Sequence, residues 1–386
     1  MRAGHGLIVV VVSLLSLGVV MVTSAGLGVG APAPLSLAVI LGGRTAAVAA
    51  LAVGLMLLAS RFPVGAMFER RGLASPVPWI VAGSIALLLA VHVPGIGHEV
   101  NGARRWIRVG PLGFQPSELA KWGILVVLAW HAVRRAGSMH RLGAGFAAPM
   151  LLVGAVCALI ATEDLGTAVL IGVVAVAVLI AGGARLAHAG LLLPAGLAAL
   201  ALAVVTSPYR VDRLRAFLDP YQDPQGIGYH VIQSMAAVAG GGLAGRGLGN
   251  GVQKFGYLPE DTTDFIFAIV AEELGVAGPA LVVCLFGALL LCGLTIVGRA
   301  AHPFSRLLGL GILLTVGVQA LINLLVVTGL APTKGIALPL VSSGGTGWCL
   351  TAFCLGLLVS IDRTAAAPIA RAEFGARVPA LDPSIA

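Results

Sequence analysis

Five carboxylates fall within the nineteen residues YLPEDTTDFIFAIVAEELG, Tyr257 to Gly275: Glu260, Asp261, Asp264, Glu272 and Glu273. The flanking sequence is almost purely apolar. A carboxylate half withdrawn from water holds its proton more tightly, and with a pKa near neutrality it can take a proton from a hydroxyl. Asp264 is the best placed for this, because Phe265-Ile266-Phe267 follows at once and a loop there becomes a hydrophobic helix. The helix N-terminus pulls the other way by favouring the ionised form, so the net shift stays open. Capping that helix is the structural alternative. Glu260 and Asp261 are expected in solvated loop. Glu272 and Glu273 lie two to three turns deeper and need cationic partners in the bundle, with Arg or Lys of the outer loops as candidates.

Cations recur in several other segments. NGARRWIR reads as an amphipathic turn whose Arg104, Arg105 and Arg108 match phosphate oxygens in fork geometry; the alternative is anchoring at lipid headgroups, with Trp106 at the interface. In QPSELAKW, Glu118 and Lys121 are three apart, share a helix face and can pair, as a site or as a structural ion pair. TEDLGT puts Asp164 where it can cap the next helix or meet a sugar or an Arg. RVDRLRAFLDPYQDPQGIGYHVIQS brings Arg210, Arg213 and Arg215 together with Tyr221 and Tyr229, which can stack on sugars. AGGGLAGRGLGNGVQKFG has seven glycines between Gly240 and Gly251, around Arg246 and ahead of Lys254. It lacks the Walker pattern, so closing over an anionic head group competes with plain flexibility. APTKGIALPLVSSGGTG carries Lys334 and Ser342.

The elements that must carry these residues are set by composition. Of 386 residues, 58% are hydrophobic and 10% charged, with a net charge of +8. Soluble domains carry about 25% charged residues. The chain is therefore read as an all-α integral membrane protein, since runs such as LIVVVVSLLSLGVVMV are apolar on every face, unlike barrel strands. Ten transmembrane helices are expected, centred near Leu17, Ala52, Leu87, Val126, Val156, Ala175, Ala198, Leu281, Leu314 and Phe353. The N-terminal run is read as the first anchor and not as a cleaved signal. With both termini cytoplasmic, the inner loops are basic: Arg61, Arg70 and Arg71; Arg134, Arg135 and Arg141; Arg185; Arg299 and Arg306. One long extracytoplasmic loop joins helices 7 and 8, from Ser207 to Thr263. The outer loops break the inside-positive bias and cluster cations where topology does not call for them. No basic, aromatic-interleaved segment suggests nucleic acid. The cysteines, Cys157, Cys284, Cys292, Cys349 and Cys354, lack zinc spacing. No cofactor is implied; a divalent ion beside a diphosphate is conceivable, but no ligand spacing argues for one.

Unaided, these residues describe an outward-facing site of arginine and carboxylate set in lipid, suited to chemistry or transport on an anionic lipid head group. The blocks NGARRWIRVGPLGFQPSELAKW, DLGTA, DPYQDPQGIGYHVIQS, GGGLAGRGLGNGVQKFGYLPE, TDFIFAIVAEELG and PTKGIALPLVSSGGTG, in this order, resemble the SEDS family (shape, elongation, division and sporulation: FtsW, RodA and SpoVE). The resemblance runs from about residue 10 to about 362, leaves a short tail at 363–386, and leans in VQK and PTKG towards the FtsW branch. It implies one polytopic domain that polymerises lipid II at the outer face of the bacterial cytoplasmic membrane. Its implied partners are a class B penicillin-binding protein and other membrane proteins of the division or elongation machinery. It places the family's proposed base on Asp264. Substrate binding is expected from Arg104, Arg105, Arg108, Glu118, Lys121, Asp164, Arg213, Arg215, Arg246, Lys254, Lys334 and Ser342. Thr262, Glu163, Ser343 and His230 depart from the family pattern, where His, Pro, Tyr and Gln are usual. A lipid II flippase and a non-catalytic scaffold are the competing readings. A flippase would carry ionisable residues near the membrane midplane, often with repeats, and no repeat is visible.

Overall fold

The computed structural model describes residues 2–27, 35–65, 72–100, 103–109 and 112–377. Arg70, Arg71, the Asn101-Gly102 pair and residues 378–386 of the expected cytoplasmic tail lie outside them.

The chain is mostly helical. In order come α1 (Ala3–Ala25), α2 (Leu37–Gly42), α3 (Arg44–Ala59) and α4 (Pro76–Ala90). Three strands follow, β1 (Gly97–Val100), β2 (Ala103–Val109) and β3 (Leu112–Phe114). Next are α5 (Pro116–Arg134), α6 (Ala148–Ala161), α7 (Leu165–Ala181), α8 (Leu186–Val205), α9 (Pro208–Leu218) and α10 (Tyr229–Gly240). The last four are α11 (Ile266–Leu274), α12 (Ala277–Arg299), α13 (Pro303–Val327) and α14 (Gly345–Arg377).

Each of the ten expected centres falls on a different helix: α1, α3 to α8, and α12 to α14. Among the described residues, six stretches are long and apolar enough to cross a membrane: Ala3–Ala25, Leu142–Ala161, Leu186–Val205, Ala277–Arg299, Pro303–Val327 and Gly345–Ala365. Three shorter apolar helices, Arg44–Ala59, Pro76–Ala90 and Leu165–Ala181, accompany them. Helix α5 starts at Pro116, whose missing N–H costs nothing in a first turn, and carries Glu118 in that turn and Lys121 in the next.

The core lies where α1, α5, α7, α11, α13 and α14 meet. Leu14, Leu128, Val178, Ile312 and Leu355 are buried in it. Helix α8 contributes no buried residue, as fits a helix bathed in lipid. The Asp362 carboxylate accepts from the Gly4 N–H at 3.1 Å, and Arg363 Nη1 donates to the Ser60 carbonyl at 3.0 Å. The start of α1, the end of α3 and residues 362–363 of α14 thus share one end of the bundle, and the candidate site occupies the other.

Three sequence-based expectations are corrected. The fold is not purely α: Ala103–Val109, expected to lie in an amphipathic turn, form β2, the middle strand of an antiparallel sheet ordered β1-β2-β3. Arg104 stands opposite Glu99, and Ile107 opposite Phe114. Trp106, Ile107 and Val109 favour extended backbone. Thr346 at the head of α14 donates to the Gly113 carbonyl at 2.9 Å and fastens the sheet down. Second, the segment from Ser207 to Thr263 has its own fold, with α9 and α10 inside it.

Third, the run after Asp264 is not one continuous span. Helix α11 stops at Leu274 and α12 begins at Ala277. Gly275 between them has φ 61°, and a Cβ there would lie 2.4 Å from the Gly245 nitrogen, so only glycine fits. Glu273 sits beside Ser24 in the last turn of α1.

Candidate active site

Asp264 ends the loop that enters α11. It does not cap that helix: Phe265 is the N-cap residue, and no side chain caps it. Its place is fixed through its backbone. On α13, the Asn323 amide donates to the Asp264 carbonyl at 2.8 Å and to the Ile336 carbonyl at 2.8 Å. One buried side chain thereby joins the catalytic-candidate loop to the 331–344 segment. The Ser343 N–H reaches the Thr262 carbonyl at 2.8 Å and adds a second tie.

The Asp264 carboxylate faces Gly335. A Cβ on Gly335 would come 3.1 Å from Asp264 Oδ2 and 3.8 Å from Arg105 Nη1, so glycine leaves room where carboxylate and guanidinium approach each other. Burial, chiefly, with Glu260 and Asp164 beside it, raises the Asp264 pKa against the pull of Arg213 and Arg105, to about 7 in all. Desolvation thus outweighs both arginines, and the group is poised between its forms near neutral pH. Asp261, expected in solvated loop, is half-buried and raised to about 6, chiefly by burial.

Cations and a second carboxylate surround Asp264. Arg213 on α9 donates to the Thr333 carbonyl at 3.1 Å, bonds the Tyr209 hydroxyl and lies over that ring, 4.4 Å from its centroid. Asp164 caps α7, accepting from the Thr167 N–H at 3.0 Å and the Thr167 hydroxyl at 2.8 Å. Lys334, half-buried, has its pKa lowered by burial against the pull of Asp164, with Arg210 and Arg213 lowering it as well. His230 stacks on Phe265 with ring centroids 6.1 Å apart. Burial and Arg213 lower its pKa, and Glu260 raises it.

A second group braces the site from below. Lys121 Nζ donates to both Glu118 oxygens at 2.8 and 2.9 Å and to Gln319 Oε1 at 2.9 Å. The Gln319 amide donates to the Ala337 carbonyl at 2.9 Å. The pair thus ties α5 through α13 to the 331–344 segment. Ser342 is buried within that segment, its hydroxyl accepting from the Leu338 N–H at 2.7 Å.

The remaining candidates lie elsewhere. Arg104 pairs with Glu99 at 3.4 Å on the exposed sheet, and its N–H donates to Glu163 at 2.8 Å. Arg108 is exposed on the same strand. Arg215 pairs with Asp212 at 3.3 Å along α9. Lys254 is sequestered: its Nζ lies 2.9 Å from Glu273 Oε1, with neither side chain exposed, and it also donates to the Gly249 carbonyl at 2.7 Å. Glu273 accepts further from Ser24 Oγ and the N–H groups of Gly249 and Gly251. Glu272 accepts from the Val252 and Gln253 N–H groups and meets Arg246 at 3.5 Å. The acidic pair finds the outer-loop partners it needs, and those bonds shape the glycine-rich loop.

Asn323 and Gln319 were missed by sequence reasoning. Their signal was present: two amides one turn apart in an otherwise apolar helix need partners in a membrane. Among the described residues, no group of three or more His, Cys, Asp or Glu side chains is arranged to hold a metal ion.

A bundle of apolar helices that presents a half-desolvated carboxylate among arginines at one end defines a membrane protein with an ionic site at its rim. The family model described as "Cell cycle protein", covering FtsW, RodA and SpoVE, matches residues 5–367, and the chain belongs to that family. It is 39% identical over 284 residues to the probable peptidoglycan glycosyltransferase FtsW of Geobacter sulfurreducens (strain DL-1 / KN400), covering 73% of this chain and 76% of the relative. With the probable peptidoglycan glycosyltransferase FtsW of Thioalkalivibrio sulfidiphilus it shares 40% identity over 367 residues, covering 94% and 90%. Among solved structures, a chain from work on the structural coordination of polymerization and crosslinking by a peptidoglycan synthase complex matches with TM-score 0.72 and 31% identity, over 94% of this chain and 98% of that one. The rod shape determining protein RodA of Thermus thermophilus matches with TM-score 0.65 and 28% identity, over 93% and 96%.

Proposed function

We propose that this chain is a peptidoglycan glycosyltransferase that polymerises lipid II at the outer face of the cytoplasmic membrane, with Asp264 as general base. It is a multi-pass protein of that membrane. The observation that carries the mechanism is the Asp264 carboxylate, on a backbone held by Asn323, with its pKa raised to about 7 near Arg105. In this reading Asp264 takes the proton from the acceptor GlcNAc 4-hydroxyl, and the freed oxygen attacks the anomeric carbon of the donor. The bond to undecaprenyl diphosphate breaks, and its charge is held by cations of the Arg105 and Arg213 cluster. Attack from the face opposite the leaving group turns an α-linked diphosphate into a β-glycoside.

We read the ten helices named above as ten spans with both ends cytoplasmic, the common face of Gly4 and Asp362 supporting this for the two ends. The likeness to a chain of a peptidoglycan synthase complex supports a cross-linking partner, which we take to be a class B penicillin-binding protein.

The test is polymer formation from purified lipid II, with and without such a partner, by wild type and Asp264→Asn. Polymer from wild type and none from a folded variant is the expected result. A variant as active as wild type would exclude Asp264 as base. A wild type inactive with a suitable partner would favour a lipid II flippase or a scaffold.

A further inference from the structure

The turn between α6 and α7 is a junction of several elements. Arg210 of α9 donates to the carbonyls of Ala161 and Thr162. Asp164 caps α7 and is one of the charges acting on Asp264. Glu163, between them, reaches across to the sheet, where its Oε2 accepts from the Arg104 N–H at 2.8 Å. Strand β3 pairs with β2 only from Ile107 to Val109, so the Arg104 end of β2 has no partner from β3, and the Glu163 carboxylate supplies an acceptor there. The bond is to the backbone; the Arg104 side chain is engaged separately by Glu99. Arg105 is the next residue. Its Nε is buried with no hydrogen-bond partner, and among the described residues no carboxylate forms an ion pair with it. The strand therefore carries the aim of this guanidinium. Arg105 Nη1 and Asp264 Oδ2 both border the space that a Cβ on Gly335 would take. Strand and turn face each other across a cleft lined by His92, Arg104, Arg105, Glu163 and Asp164.

We propose that Glu163 is a positioning residue: its hold on the Arg104 N–H fixes β2 against the α6–α7 turn and so keeps Arg105 at the Asp264 carboxylate. The proposal rests on the general-base reading of Asp264 and adds the part that sets its counter-charge. Four charged groups act on that carboxylate: Glu260 and Asp164 favour its protonated form, and Arg213 and Arg105 its ionised form. Arg213 is anchored on its own account, to the Thr333 carbonyl and the Tyr209 hydroxyl. Arg105 is the member of the set whose place depends on a strand, and that strand on Glu163. One hydrogen bond is a small part of the stability of such a bundle, but a displacement of about 1 Å at a reacting centre can cost about 10²-fold in rate.

Three substitutions separate reach from charge. Glu163→Gln removes the charge and keeps an acceptor oxygen at the same reach. Glu163→Asp keeps the charge and is one methylene short. Glu163→Ala removes both. Glu99→Gln, which releases the Arg104 side chain and leaves its backbone alone, is the control. Lipid II polymerisation is measured across pH. Glu163→Ala and Glu163→Asp should lose about ten- to 10²-fold in kcat/KM. Their rise in rate with pH should move up by about one unit, the low end of what a nearby opposite charge contributes, because Arg105 no longer favours the ionised carboxylate. Glu163→Gln and the control should stay within about twofold of wild type, with the profile unmoved. Loss of the Glu163 charge alone would move the profile down, since a carboxylate favours its neighbour's protonated form. Equal shifts in the Gln and Ala variants, or a downward shift in the Ala variant, overturn the proposal. A second readout needs no polymer: a hydrophobic carbodiimide modifies the protonated carboxyl, and peptide mapping follows Asp264 alone. Its labelling should fall with a midpoint near 7 in wild type and higher in Glu163→Ala and Glu163→Asp. A midpoint that does not move in those variants overturns the proposal. A moving midpoint in a protein that makes no polymer overturns only the glycosyltransferase reading.

Discussion

Asn323 holds the carbonyl of Asp264 at 2.8 Å, and the same amide holds the carbonyl of Ile336. A single side chain on α13 therefore sets the spacing between the loop that carries the candidate base and the segment that carries Lys334 and Gly335. Replacing it by Leu leaves two carbonyls without a donor, a loss of about 1–3 kcal/mol. The expected outcome for Asn323→Leu is a drop in kcat of about tenfold or more with KM little changed, in a protein that still folds. Initial rates at several lipid II concentrations, alongside a thermal melt in detergent, measure both.

The raised Asp264 pKa of about 7 predicts a rate that climbs with one-proton dependence as pH rises through that region. Asp264→Asn should lose about 10²–10⁴-fold in rate, the usual contribution of a positioned base. Stability carries the opposite sign. The folded chain binds this proton more tightly than the unfolded chain, so the carboxyl removes stability as pH rises from its ordinary 3.8 to about 7, and no more above that. Asp264→Asn should therefore melt higher than wild type at pH 8 and show the smaller difference at pH 5. A wild-type melting temperature more depressed at pH 5 than at pH 8, relative to the variant, would contradict this.

Lys254 and Glu273 form an ion pair with neither side chain exposed. Removing one partner strands the other charge and costs about 3–5 kcal/mol. Lys254→Met should therefore express poorly or melt early, and Lys254→Met with Glu273→Gln should recover much of the loss. A double-mutant cycle on melting temperature reads the coupling.

Arg105 and Arg215 should separate cleanly. Arg105 approaches the Asp264 carboxylate, whereas Arg215 makes an exposed pair with Asp212 on its own helix. Exposed pairs of this kind contribute about 0–1 kcal/mol. Arg105→Ala should weaken use of lipid II strongly, and Arg215→Ala should stay within about twofold of wild type in kcat/KM.

Much of the architecture was legible because membrane helices announce themselves by length and apolarity, and all ten expected centres fall on separate helices. Asp264 was legible because a carboxylate directly before Phe265-Ile266-Phe267 has few reasons to be there. The strand β2 was not, because Arg104, Arg105 and Arg108 masked a short alternation of side chains. The break at Gly275 was hidden by apolar sequence on both sides, although a glycine after Glu272-Glu273-Leu274 is a helix-end signal. Lys254 was placed with the substrate because its charge was visible and its partner, far along the chain, was not. Its actual neighbour could be found only once the glycine-rich loop had folded over α11.

The bond between Gly4 and Asp362 joins residues 358 apart in sequence. Helix α1 receives a partner at its N-terminal end from α14 and at its C-terminal end, Glu273 on Ser24, from α11. At about 5–20 residues per second, Gly4 leaves the ribosome roughly 20–70 s before Asp362 does. For that interval the Gly4 N–H lacks the carboxylate that holds it in the folded chain, and α1 waits for its N-terminal tie until α14 has been made.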